Sequence, residues 1–405
     1  AFRKHLETHV LPAVQGKRGE AQLTEFVRRW RHHKVMNKWM HRVFQYLVRD
    51  DRYYIEHHSL PSLRDSGLAA FKSVVFTPVR SHITQHMLDK VDLERDGEVV
   101  DRALLKSCSE VFVAMGMGRL DVYHKDLEAP LLQSTRTYFS AAAAQWLTSL
   151  DVPSYLQRAE AALTAEAIRV QHYLHESTEG RLLGVLEEVL LQAHQADLLG
   201  SPTGVSTMLE RSAQQDLARM YRLFSRVNGG LIPLARAVRE HIQRAGLAMV
   251  ATREDATKVV PGAAKPKGAA AAAADVQFVK DLLDLLHTSK TLITGVFGGH
   301  SLFQKALKDA FEVFVNKDVA CKTSNTVAIA AYADRLLRAG GERLSDDATE
   351  KELQRVLGLF TYIVDKDMFG ESYRQALSKR LLSGRSASRE AEKSMVSKLK
   401  LACGA

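Results

Sequence analysis

Apolar side chains recur at steps of three and four residues along almost the whole of this 405-residue chain. The stretch SLFQKALKDAFEVFVN shows the pattern, with apolar residues at Phe303, Leu307, Ala310, Phe311 and Phe314. This spacing places apolar side chains on one face of an α-helix, whereas a half-buried strand alternates every second residue. Strand signals are scarce and only nine prolines interrupt the pattern, so the sequence predicts an all-α fold.

The helical segments end where Gly, Pro, Ser and Asp cluster, as in SLPSLRDSG, DVPSY, ESTEG, LLGSPTG and AGGERLSDD. Helices of about 15 to 25 residues joined by short connections favour a stacked helical array over a compact α/β enzyme. The longest break, 251–274, is low in complexity. We expect a surface loop there, with the alanine run extending the following helix by a turn or two.

Composition narrows the function classes. No apolar run reaches the roughly 18 residues that would suggest a membrane span, so no membrane partner is expected. Cys108, Cys321 and Cys403 lie far apart without a CxxC pair, which argues against a zinc ribbon or a disulfide framework. The net charge of +9 would suit nucleic acid, an anionic surface or an acidic protein.

The stretch VQHYLHES, residues 170–177, is the strongest candidate for a metal site. On one continuous helix, His172, His175 and Glu176 would share a face. Their order matches neither zinc-protease signature, however, and the sequence offers no third ligand. We therefore expect partly exposed histidines, with Ser177 and Thr178 ending this helix or capping the next.

No other motif carries chemistry. MGMGRL, residues 115–120, holds a lone Gly-x-Gly without a preceding strand or a third glycine, so it does not predict a dinucleotide site. Neither a Walker phosphate loop nor a Gly-x-Ser-x-Gly elbow occurs. The sequence therefore predicts no catalytic residue, no cofactor and no metal.

Two regions look like interaction surfaces. Between Val35 and Leu47 the apolar residues form two adjacent helical stripes, and one stripe is enough to join a core. The stripe with Trp and Tyr could contact a partner, because these residues are enriched at interface hot spots; alternatively, the helix is buried on two sides. The first stripe is Val35, Trp39, Val43 and Tyr46, and the second is Met36, Met40, Phe44 and Leu47.

A basic patch near the C-terminus is the second region. Aromatic residues are nearly absent within it, which weakens a single-stranded nucleic-acid interpretation and leaves an acidic protein partner open. Its members are Arg374, Lys379, Arg380, Arg385, Arg389, Lys393, Lys398 and Lys400.

An ordered set of stretches resembles the cullins, and most closely the type-one cullins of plants and algae. The set includes RRWRHHKVMNKWMHRVFQYL, EVVDRALLKSC, RVQHYLHEST, DLARMYRLFSRVNGGL, LFQKALKDAFEVFVNK and LSDDATEKELQRVLGLFTYIVDKDMFGESYRQALSKRLL. The resemblance implies an elongated stack of five-helix cullin repeats followed by an incomplete four-helix bundle. It divides the chain into a partial first repeat (1–60), a second repeat (61–180), a third repeat (181–324, with the loop 251–274) and the truncated bundle (325–405).

The resemblance also implies a function. Cullins are non-catalytic scaffolds of ubiquitin ligases, found in cytoplasm and nucleus. Type-one members bind a Skp-type adaptor with its F-box protein through the first repeat. The full-length protein also holds a RING-box protein, which recruits the ubiquitin-conjugating enzyme. This chain resembles a fragment that lacks the extreme N-terminus and most of the C-terminal region, including most of the RING-box site.

Two sets of site residues follow. Tyr46 matches a family tyrosine on the adaptor-facing helix, and helical spacing puts Val35, Trp39 and Val43 on its face. Arg374, Lys379 and Arg380 lie where cullins carry a basic surface that attracts the acidic tail of the conjugating enzyme.

Two alternatives stay open: a type-three cullin with a BTB adaptor, and a basic helical-repeat protein that binds nucleic acid. We also expect the region after about residue 325 to expose apolar surface and to aggregate.

Overall fold

The computed structural model describes residues 2–44, 62–257, 268–317, 324–340 and 345–403. The predicted all-α fold is confirmed: helices account for nearly all regular structure in these ranges, and the β pairing found there is one isolated antiparallel bridge between Arg338 and Ser386. None of the described helices is both long and apolar enough to cross a membrane.

The chain forms two compact units, Ala1–His194 and Gln195–Ala405. This division does not test the finer repeat boundaries expected at 60/61, 180/181 and 324/325, which remain predictions. Short π-helical segments and one 3-10 turn continue several of the α-helices. In the first unit the α-helices are α1 (Phe2–His5), α2 (Leu11–Gln15), α3 (Gly19–Val43), α4 (Leu63–Phe71), α5 (Thr77–Arg95), α6 (Arg102–Met115), α7 (Asp121–Tyr123), α8 (Ala129–Ser149), α9 (Val152–Tyr173) and α10 (Glu179–Leu186).

Side-chain caps begin several helices of the first unit. The Ser62 hydroxyl accepts a hydrogen bond from the Asp65 backbone N–H at 3.1 Å, and Asp101 accepts one from Leu104 at 2.9 Å. Each cap satisfies one of the N–H groups that a helix start leaves without an intrahelical partner. These polar side chains therefore mark where α4 and α6 begin, and Ser62 lies in the sequence break SLPSLRDSG.

A buried ionic network joins α5, α8 and α9. Arg95, whose side chain is 2% exposed, donates two hydrogen bonds to the Glu166 carboxylate, at 2.9 and 3.1 Å, and a third to the Thr135 hydroxyl at 2.7 Å. Arg169 donates to the same carboxylate at 2.6 Å. Buried charges need such complete pairing, because leaving either partner alone in a low-dielectric interior is strongly unfavourable. The network therefore couples three helices that apolar packing alone would leave freer to slide.

The second unit contains the two longest helices of the described ranges, Leu231–Thr257 and Gly268–Gly295. A helix covers 251–257, so the loop expected there is wrong, whereas the alanine run extends the following helix from Gly268, as expected. Residues 258–267 lie outside the described residues. Arg253 is buried and donates a hydrogen bond to the Asp275 carboxylate at 2.8 Å. This ion pair holds the last turns of the helix that ends at Thr257 against the following helix. The helices are α11 (Gln195–Gly200), α12 (Val205–Glu210), α13 (Gln214–Phe224), α14 (Leu231–Thr257), α15 (Gly268–Gly295), α16 (Ser301–Val315), α17 (Asn325–Leu337), α18 (Asp346–Phe360), α19 (Lys366–Leu382) and α20 (Arg389–Cys403).

The VQHYLHES stretch contains a helix end. Helix α9 ends at Tyr173, so His175 and Glu176 do not share a helical face with His172. The His175 ring Nδ1 instead accepts the Ser177 backbone N–H at 3.2 Å and caps a short 3-10 turn. Within the described ranges, no group of three or more His, Cys, Asp or Glu side chains could hold a metal ion.

Helices α14 and α16 pack closely at Gly246. A Cβ atom at this position would lie 2.3 Å from the nearest carbon of the Phe314 ring, which is fully buried. Glycine is therefore required for this approach, because neither the ring nor the helix backbone has room to retreat.

Gly246→Ala is expected to destabilise the second unit by about 1–3 kcal/mol through this overlap. Gly370→Ala is the matched control, because Gly370 lies within α19 and a Cβ atom there meets nothing within 4 Å. The control should be neutral or should stabilise by up to about 1 kcal/mol, as Gly→Ala does in an open helix. Urea unfolding followed by circular dichroism measures both, and equal midpoints would contradict the packing account.

Candidate interaction surfaces

The first half of α3 belongs to the core of the first unit. Leu23, Phe26, Val27 and Trp30 are all at most 4% exposed and follow the three- and four-residue spacing of a buried helix face. The ring of Trp30 lies 5.1 Å, centroid to centroid, from that of Phe71 on α4. The beginning of α3 is thus fixed by ordinary apolar packing.

Further along α3, the inward-facing positions are polar. The Nε2 atom of His33 lies 3.1 Å from the Gly67 carbonyl oxygen, which can only accept, so Nε2 carries the proton. The Asn37 side-chain amide donates to the Arg64 carbonyl oxygen at 3.1 Å. Both side chains are buried and bind the backbone of α4. The sequence analysis missed His33 and Asn37. They follow Trp30 by three and seven residues, and this helical spacing would have placed them on the same buried face as Trp30.

Gly67 allows this close contact. A Cβ atom on Gly67 would lie 2.6 Å from Asn37 Oδ1. The α4 backbone can therefore approach α3 closely enough for direct hydrogen bonds only where a side chain is missing. The result is a short polar contact that continues the buried face of α3 beyond Trp30.

Because the polar side chains point inward, the stripe of Val35, Trp39 and Val43 points outward. Val35 is 55% exposed, Trp39 57% and Val43 69%, and their spacing of four residues puts them on one face. The structure thus brings together three of the four residues predicted for adaptor contact. The fourth, Tyr46, lies outside the described residues, as does Leu47.

The second stripe does not enter the core either. Met40 is 36% exposed and Phe44 37%, whereas Met36 is half-buried. The expectation that one of the two stripes joins the core is wrong for this stretch, and so is the alternative of a helix buried on both sides. His33 and Asn37 occupy the inward positions instead. The end of α3 consequently displays a continuous apolar surface.

Helix α19 carries the predicted basic residues, and the structure separates them. Arg374 is exposed and pairs with Glu371 at 2.7 Å, while Lys379 is exposed without a carboxylate partner in the described part of the chain. Lys379 borders a shallow cavity of about 470 Å³ that Arg338 and Arg385 also line. The exposed positive charge is thus centred on the end of α19.

The prediction that Arg380 belongs to an exposed basic surface is wrong. Its side chain is 1% exposed, and it donates two hydrogen bonds to the Glu392 carboxylate, each at 2.9 Å, and another to Asp334. Burial alone would lower the pKa of Arg380, but these carboxylates raise it, so the charge is kept and neutralised inside the protein. Arg380 therefore ties α17, α19 and α20 together and is not available to a partner.

The region after residue 325 has its own core and an exposed apolar edge. Ile329, Tyr332, Leu353 and Phe369 are buried. The last residues of α19 and α20 are not: Leu381 is 54% exposed, Leu382 89% and Leu401 79%. The expected exposure of apolar surface is present, whereas aggregation stays a prediction.

Comparison with known proteins identifies the family. The family described as "Cullin alpha solenoid domain" matches residues 1–405, which is the whole chain. The chain is a member of the cullin family. It is 40% identical to Cullin-1 of rice over 407 aligned residues, which cover 100% of this chain and 54% of the relative. It is 37% identical to Cullin-2 of Arabidopsis thaliana, an alignment that covers 98% of this chain and 53% of the relative. It is 32% identical to Cullin-3A of the same plant, an alignment that covers 96% of this chain and 50% of the relative.

This cullin chain spans about half the length of the curated relatives it matches. The part that it spans includes both surfaces described above, the apolar end of α3 and the basic end of α19.

The stability of this cullin should fall as the pH drops from about 6.5 to about 4, in part because of His33. Burial among the Trp30 and Phe71 rings lowers the pKa of His33 to about 4, despite the opposing hydrogen bond to Gly67. The unfolded chain binds this proton first, so stability is fully present above pH 6.5 and is lost towards pH 4, by at most about 3 kcal/mol.

Urea unfolding at several pH values measures the effect, with His33→Gln as the comparison. Burial also lowers the pKa of His241, so only the difference between wild type and variant reports on His33. If the free energy of unfolding changed with pH in the same way for wild type and His33→Gln, the pH dependence would not come from His33.

Arg380→Ala should destabilise the second unit by about 3–5 kcal/mol, because it leaves the Glu392 carboxylate buried without its cationic partner, whereas Asp334 keeps its pair with Arg338 at 2.7 Å. Arg374→Ala, on the same helix, removes only an exposed pair and should cost less than about 1 kcal/mol. Arg380→Lys should rescue little, because an ammonium group cannot make the two-pronged contact with Glu392. Similar unfolding midpoints for the two alanine variants would overturn this role for Arg380.

Proposed function

We propose that this cullin is a non-catalytic scaffold subunit of a ubiquitin ligase that acts in the cytoplasm and the nucleus. Family membership supports the scaffold role. A scaffold contributes by holding a substrate near an activated group, which turns a bimolecular encounter into an oriented, nearly unimolecular step. Helices held by buried ionic networks, such as that of Arg95 and Glu166, suit this task because they keep their geometry under load.

The observation that carries the proposal is the exposed apolar face of Val35, Trp39 and Val43. Half or more of each side chain is exposed, although apolar side chains of this size usually avoid water when grouped. Tryptophan is the residue most enriched at interface hot spots. On this proposal, a Skp-type adaptor carrying an F-box protein covers the end of α3. A RING-box protein and the ubiquitin-conjugating enzyme join the longer protein elsewhere.

The rotation of α3 makes this face a prepared docking surface. His33 and Asn37 are bonded to the α4 backbone, so Val35, Trp39 and Val43 are presented without a rearrangement of the helix. A surface ordered before binding loses less conformational entropy when the partner docks. Such preparation favours a specific partner over general hydrophobic adhesion.

The exposed basic residues of α19 supply a second part of the proposal. Arg374 and Lys379, with Arg338 and Arg385 beside the shallow cavity, would attract the acidic tail of a conjugating enzyme. Such an electrostatic field raises the association rate more than the affinity and weakens with salt. Arg380, being buried, takes no part.

The relatives favour a type-one scaffold over a type-three scaffold with a BTB adaptor. Identity to rice Cullin-1 is 40%, against 32% to Arabidopsis Cullin-3A, over nearly the same length of this chain. A BTB adaptor is the alternative occupant of the same apolar face.

Trp39→Ala should weaken binding of a purified Skp-type adaptor, in complex with an F-box fragment, by about tenfold or more, as expected for a central aromatic anchor. Ile168→Ala is the matched control, because Ile168 is an exposed apolar residue of α9 in the same unit. The control should bind like wild type. Isothermal titration calorimetry measures all three proteins, and circular dichroism checks that the variants remain folded.

The possible outcomes of this titration lead to different conclusions about the adaptor site. Loss confined to Trp39→Ala supports adaptor docking on α3. Equal affinities for all three proteins would place the adaptor elsewhere. Wild-type binding to a BTB adaptor in place of the Skp-type adaptor would replace the type-one assignment with type three.

A further inference from the structure

A groove of about 1020 Å³ lies beside α3 in the first unit, where the start of α4 and the turn between α6 and α7 meet this helix. Its apolar lining is half-buried and includes Leu68, Val113 and Leu120, which pack against the core of the unit. Grooves of this size hold several side chains of an extended peptide or one small ligand.

Positive charge dominates the lining. Lys34, Lys38, Arg64 and Arg119 are exposed, and within the described residues none of them pairs with a carboxylate. Among the lining residues the acidic side chain is Asp65, which already accepts the Ser62 hydroxyl at 2.7 Å. Unpaired like charges around a concave surface focus the field and favour an anionic ligand.

The MGMGRL turn forms one wall. Met117 has φ 49°, in the left-handed region, and its side chain is 44% exposed at the groove. A non-glycine residue in this region costs free energy, and such strain concentrates where a side chain must be presented. Methionine adapts its shape to an apolar partner, which makes it suited to an incoming hydrophobic side chain.

We propose that this groove binds an acidic peptide segment that carries an apolar side chain. The exposed lysines and arginines would pair with its carboxylates, while Leu68, Val113 and Met117 would receive the apolar group. Nucleic acid fits less well, because the aromatic ring among the lining residues, Trp30, is 4% exposed and cannot stack on a base. The lining does not include Val35, Trp39 or Val43, although the groove adjoins that face, since Arg42 of the lining lies 5.3 Å from the centre of the Trp39 ring.

The test uses the full chain and a short fluorescein-labelled peptide of Glu and Asp around a central Leu. Fluorescence anisotropy should show saturable binding that weakens with salt. Lys38→Glu combined with Arg119→Glu should weaken it by about tenfold or more, because attraction becomes repulsion at two lining positions. The matched control reverses two exposed lysines of the same unit that do not line the groove, Lys106→Glu with Lys125→Glu, and should change binding less than about twofold.

Replacing the central Leu of the peptide by Ser should also weaken binding, since the apolar contact is lost. Circular dichroism confirms folding of both double variants. The proposal is overturned by any of three results: no saturable binding to wild type, equal losses in the two double variants, or competition by poly(U) RNA as strong as by unlabelled peptide.

Discussion

The polar contact between α3 and α4 decides what the first unit shows to its surroundings. His33 and Asn37 bond to backbone carbonyls of α4, and Gly67 leaves the space that these bonds need. Buried polar groups are costly unless they are paired, so this contact and the buried apolar face of Leu23 to Trp30 favour the same rotation of α3. With that rotation fixed, Val35, Trp39 and Val43 must face outward, and Lys34 and Lys38 must line the neighbouring groove. Two candidate binding surfaces therefore depend on how α3 packs against α4, through these hydrogen bonds and through the contact of Trp30 with Phe71.

Buried arginines have a similar part in both units. Arg95 and Arg380 are each almost fully enclosed, and each meets two or more acceptors from other helices. A helical array held by apolar contacts alone tolerates sliding, because apolar packing has little directional preference. The directional, charge-assisted bonds of the guanidinium group fix helix positions that a scaffold must maintain.

Much of the fold could be read from periodicity. The apolar spacing in residues 301–315 predicts a helix, and Phe303, Leu307 and Phe311 are buried there as expected. The break SLPSLRDSG also marked a helix boundary correctly, since its Ser62 caps α4, because capping depends on neighbours in sequence. The same reasoning failed for Ala251–Thr257, where a long-range ion pair between Arg253 and Asp275 keeps helical a stretch of loop-like composition. It failed again for Arg380, since nothing in its neighbours in sequence distinguishes a buried arginine from a solvated one.

The sequence by itself determined the helical class, the family and the candidate helix with its apolar stripes. These properties depend on residue order and spacing, which the chain carries before it folds. The tertiary structure decided which face of that helix is exposed, which arginines are neutralised by carboxylates, and where unpaired lysines gather around a groove. Those outcomes depend on partners more than thirty residues away, such as Gly67 for His33 and Asp334 for Arg380. Burial and pairing are properties of the assembled helices, and for this reason the local pattern could not supply them.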